Sequence, residues 1–138
     1  MKKIFVINWT LILLFILSAF SRIGLHLAGH IGNHSLWHNW AVFHVIASVL
    51  FLATTIFHIK THWGWYKGIR KGIGNRSKIT AILSILFLLA TVTGIILLGV
   101  DGANSSIGLF HYKIGIVTII ISALHILKRA GILHKSLK

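Results

Sequence analysis

Four long apolar runs, separated by three short polar links, organise this chain of 138 residues. The runs cover about residues 4–27, 36–59, 79–100 and 107–127. A helix that crosses a bilayer needs roughly 20 largely apolar residues, and each run meets that length. Short links favour antiparallel neighbours. The pattern therefore predicts an all-α fold: an integral membrane, up-and-down four-helix bundle made of two repeated helical hairpins, in a single domain over residues 1–138. The lysines Lys2 and Lys3 before the first run suggest a signal peptide. That run is longer than an ordinary signal-peptide core, however, and no small-residue cleavage site follows it, so it is read as a true first span.

Composition points the same way. Hydrophobic residues make up 56% of the chain and charged residues 11%, where a soluble domain carries about a quarter charged. Mean hydropathy is +0.87. So short a chain has too little volume to hide that much apolar surface from water. With no cysteine, disulfides, thiolate metal sites, iron–sulfur clusters and thioether-linked haem are excluded. Histidine, with ten copies, is the one strong transition-metal ligand present in quantity.

The net charge of +13 does not mark a nucleic-acid binder. Its basic residues form clusters between the apolar runs, not a stripe along one face. Lys2 and Lys3 precede the first span. Lys60, Lys67, Arg70, Lys71, Arg76 and Lys78 fill the central link, and Lys128, Arg129, Lys135 and Lys138 follow the last span. The other two links hold almost none. By the positive-inside tendency, both termini and the central link are expected in the cytoplasm, with membrane lipid around the spans. Trp63, Trp65 and Tyr66 then suit an aromatic belt at that face, and Trp37 with Trp40 a belt at the other.

The second and fourth spans repeat each other. Phe43-His44 recurs as Phe110-His111 and His58-Ile59 as His125-Ile126, all at an offset of 67 residues. Ala41, Ser48 and Thr55 match Gly108, Gly115 and Ser122 at the same offset. A fainter echo at offset 70 aligns Gly24, Gly29, Gly32 and Ser35 with Gly94, Gly99, Gly102 and Ser105. Two helices per repeat make the second and fourth spans parallel, with equivalent residues at equal depth.

That symmetry gives the histidines their meaning. His44 and His58 are 14 residues apart, as are His111 and His125. Each pair thus shares one helix face, with about 21 Å between its members along the axis. Parallel spans set His44 opposite His111 and His58 opposite His125, forming two stacked bis-histidine sites, one near each membrane face. Haem b takes such ligands, and strong ligation on both sides favours electron transfer over oxygen activation. Ser48 and Gly115, each one turn from a histidine, keep space for a macrocycle. A lone intramembrane histidine or a stripe of small residues is ordinary helix packing. Two pairs of equal spacing at equal depth go further, since ionisable groups in a membrane are functional by default.

Paired histidines at this spacing resemble the di-haem core of b-type membrane cytochromes, including cytochrome b subunits of quinol-oxidising complexes. The segment Phe57-His58-Ile59-Lys60-Thr61-His62-Trp63-Gly64-Trp65 more closely resembles the second-helix ending of flavinylation-associated cytochromes, small four-helix proteins of prokaryotic membranes. The resemblance implies a location in the cell inner membrane. It also implies electron transfer from a quinol pool to an extracytoplasmic flavoprotein, with two haem b groups as cofactors and a quinone as substrate. No flavin-binding domain is part of this sequence, so the acceptor is expected on another polypeptide.

Other residues are less constrained. His62, one turn beyond His58, is an alternative inner iron ligand, a proton gate for quinol, a propionate partner or a solvated interfacial residue. His26, His30, His34 and His38 recur every fourth residue and would align on a helix as one imidazole ladder, for a further metal or haem site or a proton-handling rim. Gly29, Gly32 and Asn33 favour instead a mobile interfacial loop. Arg22 and Lys113 are candidate partners for haem propionates, with snorkelling toward headgroups as the competing role.

The expected function is transmembrane electron transfer through two bis-histidine haems, the chain acting as a subunit of an oxidoreductase system, alone, as a homodimer or with a flavoprotein. Asp101, the single acidic residue, has no carboxylate partner for acid–base chemistry. A ferric-reductase-like subunit would need a flavin and nicotinamide module. A histidine-lined metal or proton transporter would want more carboxylates.

Overall fold

In a computed structural model, the described residues are 3–72, 74, 78–100 and 105–135, with Arg70 described in its backbone alone. Asp101 and Gly102, together with Lys2, Arg76 and Lys138, lie outside them. The chain forms α1 (Lys3–Ile31), α2 (His34–Thr61), a short α3 (Trp63–Gly68) followed by a 3-10 turn (Ile69–Lys71), α4 (Lys78–Leu97) and α5 (Ser106–Lys135). No strand occurs among the described residues. α1, α2, α4 and α5 are each long and apolar enough to cross a membrane. At 1.5 Å per residue, α1 with its 29 residues is about 44 Å long and overshoots a hydrocarbon core of about 30 Å.

Three boundaries differ from those the hydropathy pattern suggests. α1 continues to Ile31 and α2 begins at His34, so the histidines of this region are helical and not on a mobile loop. The connection is reduced to Gly32 and Asn33. Gly32 has φ +71°, a left-handed conformation that glycine adopts without steric cost. Asn33 caps α2, its Oδ1 accepting the Leu36 N–H at 3.0 Å. A glycine interrupts helicity far less than a glycine followed by an N-cap residue, which is why Gly29 stays inside α1. At the other end of the chain, α5 runs through Lys128 and Arg129 to Lys135. Leu-Lys-Arg-Ala is a strong helix-forming sequence whatever its polarity. α4 stops at Leu97, three residues before the apolar run does.

The chain divides into two compact units, Met1–Lys67 and Gly68–Lys138, which are the two halves of the sequence repeat. In the first, α1 packs along α2; in the second, α4 packs along α5. Lipid gives no hydrophobic drive for such pairing, so close approach depends on small residues and polar bonds. Most buried positions follow that rule, Ile114 and Leu133 being the large exceptions. On α1 they are Ser21, Gly24 and Ala28, on α2 Ala47, on α4 Thr93, and on α5 Ile114, Thr118, Ser122 and Leu133. Large side chains such as Leu13, Phe20, Ile85, Leu88 and Leu127 stay exposed, as lipid-facing residues do.

Trp40 shows how tight the first unit is. Its indole lies on Gly24, where any Cβ would fall inside the ring, and Phe20 and Phe43 meet it edge-on at 5.7 and 5.9 Å. Trp37 lies 3.8 Å from the Cβ position of Gly29. Both indoles therefore pack on glycines of α1 in addition to standing near the helix end. Gly24→Ala is expected to destabilise the unit by about 1–3 kcal/mol, the usual cost of overpacking, and thermal unfolding in detergent checks it. Trp63, Trp65 and Tyr66 share α3, where Tyr66 stacks on Trp63 at 5.9 Å and meets Trp65 edge-on at 4.8 Å.

Candidate functional site

His44 and His58 are half-buried on α2, and His111 and His125 are half-buried on α5. Both helices run unbroken through their histidine pair, which preserves the common face and the separation of about 21 Å.

Three of these histidines are held by a polar residue of the neighbouring helix in their own hairpin. Ser21 is fully buried and donates its hydroxyl to the Ser18 carbonyl at 2.7 Å. With its only proton committed, its oxygen accepts from His44 Nδ1 at 2.8 Å. Thr93 repeats the arrangement. It donates to the Leu89 carbonyl at 2.8 Å and accepts from His111 Nδ1 at 2.9 Å. His58 Nδ1 donates to Asn8 Oδ1 at 2.9 Å. This arrangement suits rings protonated on Nδ1, with the lone pair on Nε2. A metal-ligating imidazole is held in the same way, its second nitrogen donating to an outer partner that fixes tautomer and orientation. The donor set fits a haem iron bound through Nε2.

No protein-family model, curated protein or solved structure matches this chain.

Sequence reading did not single out Ser21, Asn8 or Thr93. The signal was present, however. Asn8 and Ser21 are 13 residues apart on α1, nearly the 14 that separate His58 and His44 on α2. In an antiparallel hairpin that match lets two polar groups meet two histidines. The same step along α4 leads from Thr93 to Thr80, level with His125. One turn back toward Thr93, Ser84 donates to the Thr80 carbonyl at 2.9 Å, in the manner of Thr93.

Of the other sequence candidates, Ser48 faces α1, its hydroxyl 3.1 Å from that of Ser18. Gly115, one turn from His111, has nothing within 4 Å of its Cβ position, so open space lies beside that histidine. Gly94 approaches closely instead: a Cβ there would stand 3.2 Å from His111 Cε1. The repeated glycine thus accepts Trp40 in one hairpin, at Gly24, and the imidazole in the other. Arg22 is half-buried next to Ser21, while Lys113 is exposed.

His62 is not part of α2. It caps the helix with φ −106° and ψ 19°, and its backbone N–H donates to the carbonyls of His58 and Ile59 at 3.2 and 3.1 Å. Its ring lies 4.7 Å from that of His58, centroid to centroid, and is exposed.

Proposed function

We propose that this protein is a di-haem membrane cytochrome that carries electrons across a bilayer. His44 and His111 ligate one haem b, and His58 and His125 the other. The observation that carries the reading is the shared restraint of His44, His58 and His111, each donating from Nδ1 to a partner on the adjacent helix. The pairing itself rests on the sequence repeat. A low-spin haem with two imidazole ligands accepts and releases one electron with little rearrangement. The chain's own part is to hold the rings, fix their tautomer and, at Gly115, leave the adjacent space open. Arg22 supplies a cation for a propionate.

His58 is preferred to His62 as ligand because Asn8 orients its ring within α2, whereas His62 lies past the end of the helix with an exposed ring. Accordingly, His62→Ala is expected to leave the haem content unchanged, as pyridine haemochrome assay would show. The clusters of lysine and arginine support a reading with both termini and the central link on the cytoplasmic side of a cell membrane. Electrons from a quinol at one interface then pass to an extracytoplasmic flavoprotein or a similar redox partner.

The deciding experiment is an absorption spectrum of the purified protein, oxidised and then reduced. A low-spin b-type spectrum at two haems per chain supports the reading. A colourless, folded preparation from haem-replete cells sinks it.

A further inference from the structure

The extension of α1 to Ile31 has a chemical result separate from the haem ligands. It sets His26 and His30 one turn apart on a single helix face, the spacing at which two imidazoles converge on one metal ion. Both side chains are exposed. Their Nε2 atoms are 3.2 Å apart, and the rings meet nearly perpendicular, at 86° with centroids 4.6 Å apart. Two nitrogens bound to one ion at about 2.0–2.1 Å stand about 2.9 Å apart at a right angle and about 3.3 Å apart at a tetrahedral angle. The observed separation falls between these limits. Loading the pair therefore requires a change of tautomer and a rotation of the rings that aims both lone pairs at one point, with no movement of the helix.

The helix end favours a cation, against the charge of Arg22 one turn before His26 on the same face. His30 is in the last turn of α1, where the unsatisfied carbonyls give the helix end a partial negative charge. No acidic residue lies in this region of the sequence, so the donors are purely imidazole. That donor set selects late first-row ions over magnesium or calcium, with Cu(II) bound most tightly. We propose that His26 and His30 form a two-imidazole chelate for a divalent transition-metal ion at the end of α1 remote from the N-terminus. Among the described residues no group of three or more histidines or carboxylates gathers around an ion. The remaining coordination positions belong to water or another small ligand, and the ion exchanges readily.

Cu(II)–iminodiacetate is the appropriate probe, because it offers two adjacent open positions. Titrated into the purified protein in detergent and read by pulsed electron paramagnetic resonance, it is expected to show couplings from two imidazole nitrogens per copper. His26→Gln and His30→Gln should each abolish the two-imidazole signal, while His34→Gln with His38→Gln should preserve it. The proposal is overturned if the unaltered protein shows single-imidazole coupling alone, a result that needs no variant. It is also overturned if the two-imidazole signal survives in either His26→Gln or His30→Gln, or disappears in the His34/His38 variant. Low-spin ferric haem also contributes near the copper signal, so a copper-free sample recorded alongside isolates the copper couplings whether or not haem is present.

Discussion

Replacing His44 by alanine is expected to remove half of the haem from the purified protein, leaving the other half spectroscopically intact. The reason lies in the two repeats. If His44 and His111 hold one iron, either alanine variant loses that haem, and the double variant loses no more than either single one. Combining His44→Ala with His58→Ala should instead remove both haems, because those residues belong to different pairs. This non-additive pattern is the mark of groups that act as one unit. Were His44 and His111 in separate sites, the His44/His111 double variant would be colourless. Haem-to-protein ratios over the four variants distinguish the schemes, and far-ultraviolet circular dichroism confirms that each remains helical.

The second large effect is expected at Asn8. Its amide oxygen accepts the Nδ1 proton of His58 at 2.9 Å, and Asn8→Leu leaves that N–H without its acceptor. An unpaired buried donor costs about 1–3 kcal/mol, and losing the outer partner of a ligating histidine typically costs about 10–100-fold in metal affinity. On the proposed assignment, the haem ligated by His58 should therefore become substoichiometric while the other is retained. The potential should change too. An acceptor on Nδ1–H makes the imidazole more basic and favours the ferric state, so Asn8→Leu should raise the potential of that haem and Asn8→Asp should lower it. Redox titration of the two variants checks the opposite signs. A residue needed merely for packing would move stability without separating them.

Hydropathy made the four helices legible because each is a run of lipid-facing residues, and the repeat made the histidine pairs legible because two identical spacings rarely coincide. Less legible were the ends of the helices. Hydrophobicity falls off at the membrane surface, while helix hydrogen bonding does not, so α1 and α5 outlast their apolar runs. Gly29 and Gly32 look alike in sequence, yet only Gly32, with Asn33 after it, turns the chain. The outer partners of the histidines were hidden for another reason. Ser21, Asn8 and Thr93 are common residues, and what distinguishes them is register across a hairpin, which no single helix displays.

The two-residue turn at Gly32 and Asn33 also bears on how the protein is made. Closing so short a loop costs little chain entropy, and contacts between neighbours in sequence form earliest. The first hairpin can thus settle its bonds, Ser21 to His44 and Asn8 to His58, before the second half of the chain leaves the ribosome. Gly32 holds φ +71°, a value that costs other residues roughly 1–2 kcal/mol. A bulkier residue there would carry that cost into the closing of the hairpin itself.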